Sequence, residues 1–164
     1  MANVHAAERK VNVIFNTFHH AQNMRREIRA LCLRRFTYKF KAKSYETPEQ
    51  IEARKAFEAR EIDKEIDYVI NILRSISMHI RYANAIHPMI WAEYSERRLH
   101  QTLALADCSR LSAEIQFVIE DYGTDVNQFI PIDKLIQGQI SLIRAWRQSD
   151  NKIVSKLKDK PNAE

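Results

Sequence analysis

One pair of residues has the chemistry needed to cleave RNA. Arg81 and His87 are separated by five residues. An arginine can hold a scissile phosphate while a histidine acts as acid or base for attack by the neighbouring ribose hydroxyl. The spacing is loose, because Arg74 and His79, with four residues between them, satisfy it as well. A structural interpretation is also open, in which Arg81 is a surface cation and His87 a helix-end residue favoured by the helix dipole.

The remaining histidines and the glycines do not form a metal or cofactor motif. His19 and His20 are adjacent, so on a helix they point about 100° apart and cannot bind one ion. Glu96 and His100 lack the Glu-x-x-His spacing of di-iron bundles. The two glycines, Gly123 and Gly138, are far apart, and neither precedes the Lys-Ser/Thr of a phosphate-binding loop. We therefore expect no metal, no cofactor and no catalytic residues.

The cations are concentrated at residues 25–43 and in the C-terminal part of the chain, which contains Arg144 and Arg147. The net charge is +5, yet residues 25–43 hold eight arginines and lysines against one acid, Glu27, with aromatic residues between them. Cations neutralise phosphates and aromatic rings stack on bases, so this composition indicates nucleic-acid binding. The alternative is a solvated helix face whose charges pair with the acid-rich residues 46–67. The predicted contact residues are Arg25, Arg26, Arg29, Arg34, Arg35 and Lys39, followed by Arg144 and Arg147.

Four long helices must position these cations. Apolar residues recur with helical spacing over four stretches, which predict helices at about 5–42, 48–86, 89–122 and 127–157. Short connections between long amphipathic helices favour antiparallel neighbours. The sequence thus predicts an all-α, antiparallel up-down-up-down four-helix bundle over residues 1–158 and a disordered tail at 159–164.

Local signals define several helix ends. Thr47, Pro48 and Gln50 have the spacing of a capping box with proline at the first helical position. The second helix is expected to end before Pro88, and Gly123 is placed to cap the third. In the third helix the apolar residues cover a wide arc, which indicates either a central helix or one that also faces another subunit. Trp91 and Trp146 occupy expected core positions.

The cysteines and the hydropathy predict the compartment. Cys32 and Cys108 lie among apolar residues and are read as small buried hydrophobes of a reducing compartment. The first ten residues contain no apolar run like that of a signal peptide. No stretch reaches the ~18 apolar residues of a membrane span. We expect a cytoplasmic protein without membrane contact.

The second half of the chain resembles a known family. The resemblance covers about residues 81–152, under half of the chain. Its segments are ANAIHP (83–88), ERR (96–98), CSRLSAEIQFVIE (108–120), VNQF (126–129) and LIRAWRQSDN (142–151). They are similar to the accessory variability determinant proteins of diversity-generating retroelements, relatives of rRNA intervening-sequence proteins.

The resemblance implies a function without an active site. Such proteins are basic homopentamers of four-helix bundles that bind a reverse transcriptase and nucleic acid and assist mutagenic cDNA synthesis from a template RNA. By this resemblance the partners are a reverse transcriptase, RNA or cDNA, and further copies of the chain. Two alternatives stay open. One is a HEPN-like ribonuclease that uses Arg81 and His87, and the other is a helical protein-interaction adaptor.

Overall fold

The computed structural model contains four long helices. It describes the backbone of residues 2–158 and the side chains of residues 13–157, so the predicted tail at 159–164 lies outside the described residues. The helices are α1 (Ala2–Leu33), α2 (Pro48–Ala85), α3 (Trp91–Tyr122) and α4 (Ile130–Lys158). Within residues 2–158 there is no strand, and the predicted all-α class is confirmed. Among the described helices, none has an apolar stretch long enough to traverse a lipid bilayer.

Helix α1 is shorter than predicted. The apolar pattern predicted a helix to about residue 42, but α1 ends at Leu33 and a short 3₁₀ turn, Arg35–Thr37, follows. All three residues of this turn have positive φ, between 50° and 58°. The side chain of Phe36 is fully buried, which contributes about 2–3 kcal/mol. That burial offsets much of the left-handed strain of roughly 1 kcal/mol per residue. The prediction was wrong because core packing, not a glycine or proline, ends this helix.

The local end signals of α2 and α3 are confirmed. The Thr47 hydroxyl accepts a hydrogen bond from the Gln50 amide, and the Gln50 side chain accepts one from the Thr47 amide, completing the capping box. Helix α2 ends at Ala85, and Ile86 is extended. Gly123 closes α3 in the left-handed conformation, with φ of 55°. These ends depend on residues within one turn of the terminus, which explains why sequence alone predicts them.

The start of α4 differs slightly from the prediction. A 3₁₀ turn, Val126–Gln128, occupies the place where the fourth helix was expected to begin, and α4 starts at Ile130. The carboxylate of Asp125 caps this turn by accepting a hydrogen bond of 3.0 Å from the Asn127 amide. The capping carboxylate therefore holds the connection in a separate turn before α4 begins.

Neighbouring helices share one apolar core. Helix α1 packs against α2 and α4, and α3 packs against the same two helices, so α1 and α3 lie at opposite corners. Trp146 is fully buried as predicted, whereas Trp91 is 42% exposed and its predicted core position was wrong. Cys32 and Cys108 are buried and unbridged, as predicted. The core also includes Met24, Ile28, Ile72, Ile76, Leu111, Ile136 and Ile143.

Helix α3 has two apolar faces. One contains buried residues such as Ala104, Cys108 and Leu111. At about 100° per residue, Leu99 and Phe117 fall on the opposite side of the helix and Leu103 lies beside them at its flank. The three side chains are 37–54% exposed. The wide apolar arc predicted for this helix is therefore a core face plus an exposed outer stripe, defined by these three residues.

A buried ion pair joins α3 to α4. The Arg97 guanidinium donates to both carboxylate oxygens of Asp150, at 2.7 and 2.9 Å, and to the Ile86 carbonyl at 2.8 Å. Gln101 donates to the same carboxylate at 2.8 Å, and the guanidinium lies 5.1 Å from the Trp146 ring centroid. Both charged side chains are almost completely buried. A paired and multiply bonded arrangement is what makes burial of two charges tolerable.

Candidate nucleic-acid interface

A row of arginines occupies the outer side of α1. Arg25 and Arg29 are one turn apart, and Arg26 follows Arg25 around the helix, so all three fall within about 100° of one another. The opposite side of α1 is held in the core by Met24 and Ile28. The outer side forms a depression of about 400 Å³, lined by Gln22, Arg25, Arg26, Arg29, Ala30 and Leu33. We call Arg25, Arg26 and Arg29, together with Arg34 just beyond the end of α1, the arginine row.

Most of the arginine row is free of acidic partners. Arg26 contacts Asn23 at 2.6 Å and Glu27 at 3.4 Å, both on α1. The Arg26–Glu27 pair is well exposed, and such a surface pair contributes about 0–1 kcal/mol. Within the described part of the chain, Arg25, Arg29 and Arg34 form no ion pair. Their charges are therefore available to an external anion.

The acidic start of α2 is neutralised mainly by the cations of α2 itself. Arg54 forms ion pairs with Glu58 of α2 at 2.7 Å and with Glu46, which lies just before α2, at 2.6 Å. Its hydrogen bonds are the main reason why the pKa of Glu46 is lowered to about 2. Lys55 pairs with Glu52 at 3.8 Å and Lys64 with Glu61 at 2.6 Å. The alternative in which these acids neutralise the arginine row therefore fails, since the acidic contact of the row within the described residues is Glu27 of α1.

Arg35 has a different environment from the row. Its guanidinium donates a hydrogen bond of 2.7 Å to the Asp63 carboxylate and one of 2.8 Å to the Ala59 carbonyl, both on α2. Of the six cations predicted between residues 25 and 39, Arg35 is thus the one tied across to α2. Lys39 lies in the connection between α1 and α2 and is exposed. The structure therefore separates a structural Arg35 from the available charges.

Arg144 and Arg147 belong to a second cationic region on α4. Arg144 is exposed and Arg147 half-buried. Burial and the neighbouring charge of Arg98 lower the pKa of Arg147. Arg98 belongs to α3, and its guanidinium donates a hydrogen bond of 2.8 Å to the Arg147 carbonyl of α4. Sequence analysis missed Arg98, although it is part of the Glu-Arg-Arg segment.

The two residues with possible ribonuclease chemistry have separate neighbours. The Arg81 guanidinium lies over the ring of Phe18 on α1, at 5.7 Å. His87 lies two residues beyond the end of α2, and its Nδ1 is 3.1 Å from the Ala85 carbonyl oxygen. Both side chains are exposed. No hydrogen bond joins them within the described residues.

A histidine pair bridges α2 and α3. The Nδ1 atoms of His79 and His100 are 3.0 Å apart, so one ring donates a hydrogen bond and the other accepts it. Burial lowers the pKa of His79, while Asp107, 4.0 Å from its Nε2, acts in the opposite direction. Among the described residues, no group of three or more potential ligands is arranged to hold a metal ion.

Two carboxyl groups meet further along the same pair of helices. Burial and a hydrogen bond with Glu65 of α2 raise the pKa of Glu114 of α3 to about 7. Arg110 partly offsets this effect. This contact therefore favours the protonated form of the Glu114 carboxyl group.

The sequence also left the Arg97–Asp150 pair undetected. The two residues are far apart in the chain, and nothing in the local pattern separates a buried arginine from an exposed one.

Comparison of the chain with protein-family models, with curated proteins and with solved structures finds no match.

Proposed function

We propose that this chain is a non-enzymatic accessory protein that binds RNA through the arginine row of α1. The observation that carries the proposal is the charge arrangement. The α2 acids pair mainly with α2 cations, while Arg25, Arg29 and Arg34 stay unpaired within the described residues. Releasing counterions from RNA phosphates is the main source of affinity for such a surface.

The helix order we propose is an antiparallel up-down-up-down bundle. Contacts between side chains support it. Glu65 faces Glu114, and His79 faces His100, so residue numbers rise along α2 as they fall along α3. In this bundle Gln139, which donates to the Thr17 carbonyl, lies level with the middle of α1. Arg144 and Arg147 would then lie away from the arginine row and form a second RNA-contacting region.

Self-association is the second part of the proposal. The outer stripe of α3 exposes Leu99, Leu103 and Phe117, and exposed apolar patches often mark protein interfaces. Helices α1 and α3 occupy opposite corners of the fold. Copies of the chain could therefore assemble through α3 while the arginine row stays open to RNA. The proposed assembly is a homopentamer, as the resemblance implies.

The polymerase partner comes from the resemblance. A reverse transcriptase would bind the assembly and copy template RNA into mutated cDNA, as in a diversity-generating retroelement. Arg97 and Asp150 belong to two of the segments that carry the resemblance, and their ion pair holds α3 against α4. This structural use of the segments supports a scaffold role. We place the protein in the cytoplasm, where the two free buried thiols would stay reduced.

RNA affinity tests this proposal directly. We would measure fluorescence anisotropy of a labelled single-stranded RNA with the Arg25→Gln/Arg29→Gln variant. The matched control is Lys55→Gln/Lys64→Gln, which removes the same charge from an exposed surface where both lysines are already paired. We expect about a tenfold loss for the arginine variant and less than about twofold for the control. Equal affinities of the two variants would refute the proposed face.

The same samples test the absence of catalysis. RNA incubated with the unmodified protein is expected to stay intact in a denaturing gel. Cleavage that disappears in the His87→Ala variant would instead establish the ribonuclease alternative.

A further inference from the structure

A cavity lies where the α1–α2 connection meets the α3–α4 connection. Its volume is about 500 Å³. Its walls come from residues 37–39 and Lys41 on one side and from residues 121–125 and Gln128 on the other, with Arg54 of α2 beside them. Small-molecule sites typically enclose about 300–1,000 Å³. The space is therefore sufficient for one nucleotide.

The wall formed by residues 37–41 is fixed in place. The left-handed turn Arg35–Thr37 precedes it, and the buried Phe36 anchors that turn. The Arg54 guanidinium donates a hydrogen bond of 2.8 Å to the Lys41 carbonyl and one of 2.6 Å to the Glu46 carboxylate. Strained backbone held by its surroundings is found preferentially at functional sites. The buried Phe36 therefore holds the turn that positions this wall.

This wall offers two available cations. Lys39 and Lys41 line the cavity, and in the described part of the chain their ammonium groups have no acidic partner. Arg54 is already bonded to Glu46 and Glu58. The lysines are thus the groups that can bind a phosphate, and they continue the charge of the arginine row beyond the end of α1.

Aromatic rings lie beside these cations. Tyr38 and Tyr122 both line the cavity, with ring centroids 5.8 Å apart and planes at 72°. The Tyr38 hydroxyl donates a hydrogen bond to Glu58, which fixes that ring. Stacking of a base on an aromatic side chain contributes about 1–3 kcal/mol and tolerates any base. Tyr122 is half-buried, so its ring can serve as a stacking surface.

The opposite wall provides further polar groups, of which Asp125 already accepts hydrogen bonds from Asn127 at its Oδ1. The Thr124 hydroxyl oxygen is buried without a hydrogen-bond partner, and a buried group left unsatisfied in this way calls for a ligand or water. Asp121 and Asp125 also line this wall. Carboxylates repel a phosphate but accept hydrogen bonds from base N–H groups. The two walls therefore differ in the part of a nucleotide that each can bind.

We propose that this cavity holds one unpaired nucleotide of single-stranded RNA. Lys39 and Lys41 bind its phosphate, the Tyr122 ring stacks on its base, and Thr124 with the two aspartates binds the base edge. This inference rests on the proposed RNA-binding function and deepens it, because it adds a pocket for a base to a surface that otherwise binds phosphates.

A titration followed by NMR tests the pocket without RNA. We would add CMP, and separately inorganic phosphate, to the ¹⁵N-labelled full chain up to about 10 mM, since a single nucleotide is expected to bind with a Kd of order millimolar. CMP should shift the amides of both walls, including Thr124 and Asp125. Phosphate should shift those near Lys39 and Lys41 alone. No shift with CMP, or the same set of shifts with phosphate, would overturn the proposal.

Variants then separate the pocket from the arginine row. Lys39→Gln/Lys41→Gln changes two exposed residues and should weaken CMP binding at least about tenfold, with Lys55→Gln/Lys64→Gln unchanged. Tyr122→Leu should weaken it about fivefold or more, while Tyr122→Phe retains binding. If the pocket variants bind CMP and RNA normally while Arg25→Gln/Arg29→Gln loses RNA, the pocket is refuted and the proposed function stands. If Arg25→Gln/Arg29→Gln binds RNA normally, the proposed function fails independently of the CMP result.

Discussion

Replacing Asp150 with asparagine tests how much the buried ion pair contributes to stability. Asp150 is fully buried, and its carboxylate accepts two hydrogen bonds from Arg97 and one from Gln101. Asparagine has nearly the same shape but no charge, and its amide cannot accept the two-pronged bond of a guanidinium. The change therefore leaves the Arg97 charge buried and uncompensated.

The expected cost is large relative to the stability of a domain. Removing one partner of a buried pair typically destabilises by about 3–5 kcal/mol, compared with about 5–15 kcal/mol for the whole domain. At about 2–4 °C per kcal/mol, the melting temperature should fall by about 10 °C.

Urea unfolding at one fixed protein concentration measures this cost. The control is Asp67→Asn, which removes an exposed carboxylate of α2 and should change the free energy of unfolding by less than about 0.5 kcal/mol. A loss below about 1 kcal/mol for Asp150→Asn would refute the account of this pair as a buried, desolvated interaction.

Three further predictions concern other parts of the molecule. Because the pKa of folded Glu114 is raised from 4.5 to about 7, folding takes up a proton there, and stability falls as pH rises through this range. The free energy of unfolding of Glu114→Gln, relative to the unmodified protein, should therefore increase by about 1 kcal/mol between pH 5 and 7.5 after discounting for solvent screening; no pH-dependent difference in urea unfolding would contradict this. Leu99→Glu/Leu103→Glu should reduce the molar mass in light scattering to that of a monomer. If the unmodified protein is already a monomer, the proposed interface is refuted. Since burial raises the pKa of Cys32 and Cys108 to about 12, a thiol reagent should label them only after unfolding, and rapid labelling of the folded protein would be inconsistent with their burial.

The sequence predicts those parts of the fold that depend on local signals. Thr47 and Gly123 define helix ends through contacts within one turn, and both predictions are confirmed. The end of α1 depends instead on the burial of Phe36, and the neighbouring residues in the sequence do not predict that burial. Trp91 was misplaced for a related reason, because an apolar side chain near a helix start can face either the core or solvent.

The candidate site is predictable by composition and not by pairing. A local excess of arginine is visible in the sequence, and it includes the exposed Arg29 and the half-buried Arg25. It does not distinguish them from Arg35, which is bonded to Asp63. Nor does it reveal that Lys41 and Tyr122 line one cavity, since that requires the α1–α2 and α3–α4 connections to meet in space.

The salt dependence of RNA affinity tests the central claim most directly. Each phosphate neutralised on a single strand contributes about 0.7 to the slope of log affinity against log salt concentration. Changing Arg25, Arg29 and Arg34 together to glutamine should therefore reduce the magnitude of the slope by about 2, as well as lowering the affinity. An unchanged slope and affinity in this triple variant would contradict the claim that the arginine row holds RNA by its charge.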